Sequence, residues 1–159
     1  MEKRKNITIE GAKIIFRNFA GREGRFNPEG NRNFCVVLDP EFADELKEDG
    51  WNIKYPNVEN GKDLLPYLQV KVSFKRIPPK IVVISSTGKR QLSEEKISDL
   101  DWMAFEKVDI IISPYNYDIR GNSGVSAYLK SFYGTLMEDE LELKYAGIPE
   151  STDNLYEDD

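Results

Sequence analysis

Residues 67–75 alternate without interruption. Leu68, Val70, Val72 and Phe74 fall on one side, and Tyr67, Gln69, Lys71, Ser73 and Lys75 on the other. A period of two fits a half-buried strand and cannot lay a single apolar stripe along a helix. The same grain runs through the chain. Residues 6–16 read as a strand bent near Gly11, 34–38 as a compact apolar strand, and 51–55, 80–85 and 108–113 as further strands. Residues 120–124, Arg-Gly-Asn-Ser-Gly, are a hairpin turn, and 125–137 are the return strand. Two short helices interrupt this series. Asp39-Pro40 caps one over residues 41–49, which Gly50 ends, and Ser93 begins a second. Residues 138–145 can also be helical. At least six strands and few helices predict a mainly β domain. An OB-like five-stranded barrel with long loops fits best, and a β-sandwich is the competing architecture.

Charge divides the chain unevenly. Residues 135–159 hold nine carboxylates against one lysine, whereas residues 1–134 hold 21 basic and 19 acidic side chains. A mildly basic body therefore precedes an acidic end. Residues 1–147 are expected to form one domain, and 148–159 a disordered acidic tail. No apolar run reaches the roughly 18 residues of a membrane span, and the N-terminus lacks the apolar stretch of a secretory signal. The single cysteine, Cys35, suits a reducing compartment. With no histidine, Ser-His and Cys-His catalytic pairs are excluded, and a zinc site has too few ligands. Asp99, Asp101 and Glu106, like Asp44, Glu45, Glu48 and Asp49, lack metal-loop spacing and read as solvated faces. No cofactor, metal or enzymatic activity is expected.

Three segments combine cations with rings. The loop 17–32 carries Arg17, Phe19, Arg22, Arg25, Phe26 and Arg32 among glycines that allow backbone movement. The terminal hairpin carries Tyr115, Tyr117, Arg120, Tyr128, Lys130 and Phe132, and strict alternation puts Tyr128, Lys130 and Phe132 on one face. Unpaired nucleic acid is held in this way, with cations along phosphates and rings beneath bases. The alternative is rings folded back into the barrel and ordinary cross-strand packing. The third segment, Tyr67, Lys71 and Lys75 with Lys80, can extend a basic groove, but the solvated face of a lysine-protected edge strand is the favoured reading. Trp51 and Trp102 are expected in the core. The tail residues Leu155, Tyr156, Glu157, Asp158 and Asp159 mix acid with two apolar anchors, as a partner-docking segment would.

Residues 9–39, 66–89 and 108–136 together resemble single-stranded DNA-binding proteins of tailed phages and prophages. The resemblance implies an OB fold, sequence-independent binding of single strands, and a role in phage replication or recombination in the bacterial host cytoplasm. It also implies an acidic tail that competes with DNA and recruits replication or recombination proteins. Here Tyr156 is followed by three acids, unlike tails that end in an aromatic residue. The residues leave oligomeric state open, a homodimer included, and do not separate DNA from RNA. The rival reading is a β-barrel protein-interaction module whose acidic tail only solubilises it.

Overall fold

The computed structural model describes residues 4–56, 65–75 and 77–149. The proposed tail residues 155–159, and most of the loop expected between 56 and 66, lie outside them.

The first strand is bent, as its sequence predicts. β1 (Ile7–Ile9) and β2 (Lys13–Asn18) meet at a turn in which Gly11 takes φ 64°, a left-handed backbone that glycine adopts without a steric penalty. β3 (Arg32–Val37) follows the long loop, then α1 (Pro40–Glu48), which starts after the extended Asp39 with Pro40 in its first turn; the Asp39 side chain makes no capping hydrogen bond. Next come β4 (Ile53–Lys54), β5 (Tyr67–Val72), β6 (Lys80–Ser85) and β7 (Gly88–Gln91). A 3-10 turn (Ile97–Asp101) leads to the long hairpin of β8 (Phe105–Ile119) and β9 (Asn122–Leu136), and a short α2 (Glu140–Lys144) ends the described chain.

The strands join in the order β1-β8-β9-β5-β3-β2. The two ends of this path are the two halves of the bent first strand, so the sheet returns on itself, as in an OB-like barrel. β5 lies inside the sheet, between β3 on one edge and β4 with β9 on the other. The edge-strand reading of residues 67–75 is corrected accordingly.

One irregularity organises the far half of the barrel. On β9, Leu129 pairs with Ile112 and Ser131 with Ile111, which leaves Lys130 as an extra residue. Such a bulge reverses the inward-outward alternation. Before it Val125, Ala127 and Leu129 face in, and after it Phe132 does. The same point marks a change of partner. β9 runs parallel to β5 at residues 127–128 and parallel to β6 at 131–135. The core is filled by Phe19, Phe34, Phe132, Leu68, Ile81, Ile110 and their neighbours. Phe19 and Phe34 stack at 5.1 Å, and Phe132 meets both edge-on.

Candidate nucleic-acid interface

Strand register sets one row of side chains across the outer face. Asn33 of β3 pairs with Lys71 of β5, Lys71 with Tyr128 of β9, and Tyr128 with Ser113 of β8. The alternation that buries Leu68, Val70 and Val72 turns Lys71 outward. The bulge at Lys130 leaves Tyr128 outward as well. The Lys71 ammonium sits 5.7 Å from the centre of the Tyr128 ring, and Tyr115 meets that ring edge-on at 5.7 Å. Tyr117 lies across Gly124, where a Cβ would stand 2.5 Å from the tyrosine hydroxyl. Only glycine leaves that ring its place.

Two clefts open over this row. One, of about 780 Å³, is lined by Arg4, Lys5, Ser73, Lys75, Tyr115, Tyr128 and Lys130, among others. The other, of about 660 Å³, is lined by Phe26, Asn31, Arg32, Asn33, Lys71, Phe74, Lys75 and Tyr128, among others. They share Ser73, Lys75 and Tyr128, so they form one trough from the chain's start to the long loop. Its cations differ in engagement. Arg4 is held by Asp49 at 3.4 Å, and Arg32 by Glu94 at 2.8 Å. Lys5, Lys71, Lys75 and Lys130 form no ion pair with the described residues.

The long loop is more ordered than its glycines suggest. Asn27 donates to the carbonyls of Arg22 and Asn31, Asn33 donates to Asn27, and Gly30 N donates to Gly21 O at 2.8 Å. Gly21 (φ 69°) lies so close to Gly30 that a Cβ there would come within 3.1 Å of the Gly30 backbone. This frame displays Phe26, 91% exposed, with the Arg25 guanidinium 5.4 Å from its ring.

The candidate residues divide. Tyr115, Tyr128, Lys130, Phe26 and Arg32 converge on the trough, and Arg25 stands beside it on Phe26. Phe19 and Phe132 do not converge. Both are fully buried, so neither can offer a ring face to a base. The bulge at Lys130 accounts for Phe132. Phe19 packs inward against Phe34 and Phe132, on a backbone held by the Asp101 carboxylate, which accepts the N–H of Phe19 at 2.7 Å and that of Ala20 at 3.1 Å. Arg17 is structural: it donates to the Leu100 and Met103 carbonyls at 3.0 and 2.5 Å and packs over Phe105. Burial lowers its pKa, against the opposing pull of Asp101. Arg22 lies 3.8 Å from Asp101 and over Trp102 at 5.6 Å. Arg120 is at the hairpin tip, with φ 50°, and Tyr117 is further out along β8; neither lines either of these two clefts.

Sequence reasoning favours the wrong alternative at two places. Lys71 and Lys75 line the trough instead of an edge. Trp102, expected in the core beside the buried Trp51, is 79% exposed. The signal for Trp102 was its place just past the polar end of the 3-10 turn, where no strand alternation directs it inward.

A family model described as "Putative phage ssDNA-binding domain" matches residues 1–158. The chain belongs to this family. Two solved structures share its fold. A single-stranded DNA-binding protein from bacteriophage Enc34 in complex with ssDNA aligns with TM-score 0.56 at 9% identity, covering 84% of this chain and 88% of that one. The single-stranded DNA-binding protein from bacteriophage Enc34, in a further structure, aligns with TM-score 0.54 at 11% identity, covering 84% and 82%. No curated protein matches the chain. No described helix is long and apolar enough to cross a membrane.

Proposed function

We propose that this family member binds single-stranded DNA along the shared trough, without sequence preference and without chemistry, in support of phage replication or recombination in the host cytoplasm. The observation that carries this reading is the joining of two clefts at Tyr128 and Lys75. A strand lying there passes lysines for its phosphates and the rings of Tyr115, Tyr128 and Phe26 for its bases. Stacking contributes roughly 1–3 kcal/mol per base and tolerates any sequence, because every base has a π-face. A duplex hides those faces, so it binds weakly. The acidic tail is proposed to compete for the same lysines.

The test is a titration of fluorescent oligo-dT and of matched duplex with wild type and Tyr128→Ala. The oligomer is expected to bind far more tightly than the duplex, and Tyr128→Ala to lose roughly 1–3 kcal/mol. Equal binding of both nucleic acids, or an unchanged affinity in the variant, rejects the proposed trough.

A further inference from the structure

Phe16 breaks two ordinary rules at once. It is 67% exposed, and its backbone sits at φ 51°. The left-handed region is unfavourable for residues with a Cβ; glycine, asparagine and aspartate are the usual occupants. Neither burial nor backbone preference therefore selects phenylalanine here. Such outliers, where the surrounding structure holds them, mark function more often than chance.

The cause is a second bulge. β2 pairs regularly with β3 through Ile15↔Cys35 and resumes at Asn18↔Asn33. Two residues, Phe16 and Arg17, thus stand opposite Phe34 alone. Without the bulge, Phe16 would follow Ile14 inward. Instead Arg17 packs over Phe105, and Phe16 is thrown to the outer face, where its ring meets Tyr67 edge-on at 5.6 Å.

Tyr67 ties this pair to the trough. Tyr67, Gln69 and Lys71 occupy alternate positions of β5 and share its outer face. Gln69 and Lys71 already line the cleft. Four residues of strand from Lys71 to Tyr67 span about 13 Å. The row through Tyr67 is basic at both ends: Lys13 pairs with Val37, Val37 with Tyr67, and Tyr67 with Lys54. Lys13 and Lys54 are both exposed.

We propose that Phe16 and Tyr67 form a further base-stacking subsite, flanked by Lys13 and Lys54, on which single-stranded DNA leaving the trough past Gln69 continues. The subsite deepens the binding reading above and rests on it. A stacked strand advances about 3.4 Å per nucleotide, so the subsite lies about four nucleotides beyond Tyr128. Short oligomers occupy the trough alone, and longer ones reach both places.

The experiment compares wild type, Phe16→Gly, Phe16→Asn and Tyr128→Ala by thermal unfolding and by anisotropy with oligo-dT of about four and about sixteen nucleotides. Glycine and asparagine both suit the backbone at this position. With the subsite present, Phe16→Gly keeps or raises the melting temperature and leaves short-oligomer affinity unchanged. It weakens long-oligomer binding by about five- to hundredfold. Unchanged long-oligomer affinity overturns the proposal, and a lowered melting temperature beside it makes the ring a cover for the β2–β3 face. Tyr128→Ala reports on the trough separately, since it weakens both oligomers if that reading holds and neither if it fails. Should both Phe16 variants fail to fold, the wild-type protein decides. It is photocrosslinked to a long oligomer bearing 5-bromodeoxyuridine and digested with trypsin. Crosslinks on the peptide 14–17 as well as on 121–130 support the subsite; crosslinks on 121–130 alone overturn it.

Discussion

Salt dependence turns the trough into a number. Its lining holds six cations: Arg4, Lys5, Arg32, Lys71, Lys75 and Lys130. Arg4 and Arg32 are already committed to Asp49 and Glu94. Four lysines are then available to replace counterions on phosphates. Each such contact steepens the dependence of log affinity on log salt by about 0.7 on a single strand, so the expected slope is about −3. Engagement of both arginines as well would bring it to about −4. Between 50 and 200 mM salt a slope near −3 costs about 50-fold in affinity. Lys71 and Lys75 face the middle of the trough, and the double substitution Lys71→Ala/Lys75→Ala removes two contacts. The slope should fall by about 1.4, and the loss over the same salt range should shrink to about sevenfold. Anisotropy titrations of labelled oligo-dT at four salt concentrations measure both slopes. Both lysines are exposed, so melting temperature should not change. If the variant keeps the wild-type slope, the phosphates lie elsewhere and the trough is not their path.

Four further outcomes follow from the geometry. Phe26→Ala should weaken oligo-dT binding by roughly 1–3 kcal/mol without altering thermal stability, because the ring is almost fully exposed. Phe132→Ala should do the reverse, costing about 3–5 kcal/mol in denaturant unfolding, because it empties the centre of the aromatic core. Removing residues 148–159 deletes five carboxylates and should tighten oligo-dT binding at low salt and little at high salt; unchanged low-salt affinity would refute self-competition. Cys35 is buried and its thiol is pushed up to about 11, mainly by loss of solvent, so it should resist iodoacetamide at pH 8 in the native protein and react once urea unfolds it.

How much of this was legible beforehand depended on whether local alternation held. It held over residues 67–72, so the inward set Leu68, Val70 and Val72 could be read directly. The bend at Gly11 and the Asp39-Pro40 helix start are also legible, whereas the hairpin turn expected over 120–124 is only Arg120-Gly121, because Asn122, Ser123 and Gly124 already pair with β8. Alternation failed where one residue was inserted without any mark in composition. Nothing in Leu129-Lys130-Ser131-Phe132 announces a bulge, and counting by twos from Tyr128 put Phe132 on the wrong side. Likewise nothing in Ile14-Ile15-Phe16-Arg17 marks the bulge that turns Phe16 outward. Phe19 and Arg17 were misread because their partners, Asp101 and the carbonyls of residues 100 and 103, lie more than 80 residues away in sequence. The trough itself needed strand order. Lys71 and Tyr128 became neighbours only through a parallel pairing across the sheet, which no local pattern encodes.

The insertion at Lys130 makes β9 two-sided. Its first stretch shows Tyr128 to solvent, and its second feeds Phe132 to the interior. Deleting that lysine would remove the bulge and not the arrangement: with one residue fewer, unbroken alternation still leaves Tyr128 outside and Phe132 inside, so the change should cost a trough cation and the local bend and spare the core. An even separation of the two rings with a bulge and an odd one without it give the same facing, so what the fold requires is opposite orientation of the two rings and not a fixed count of residues between them.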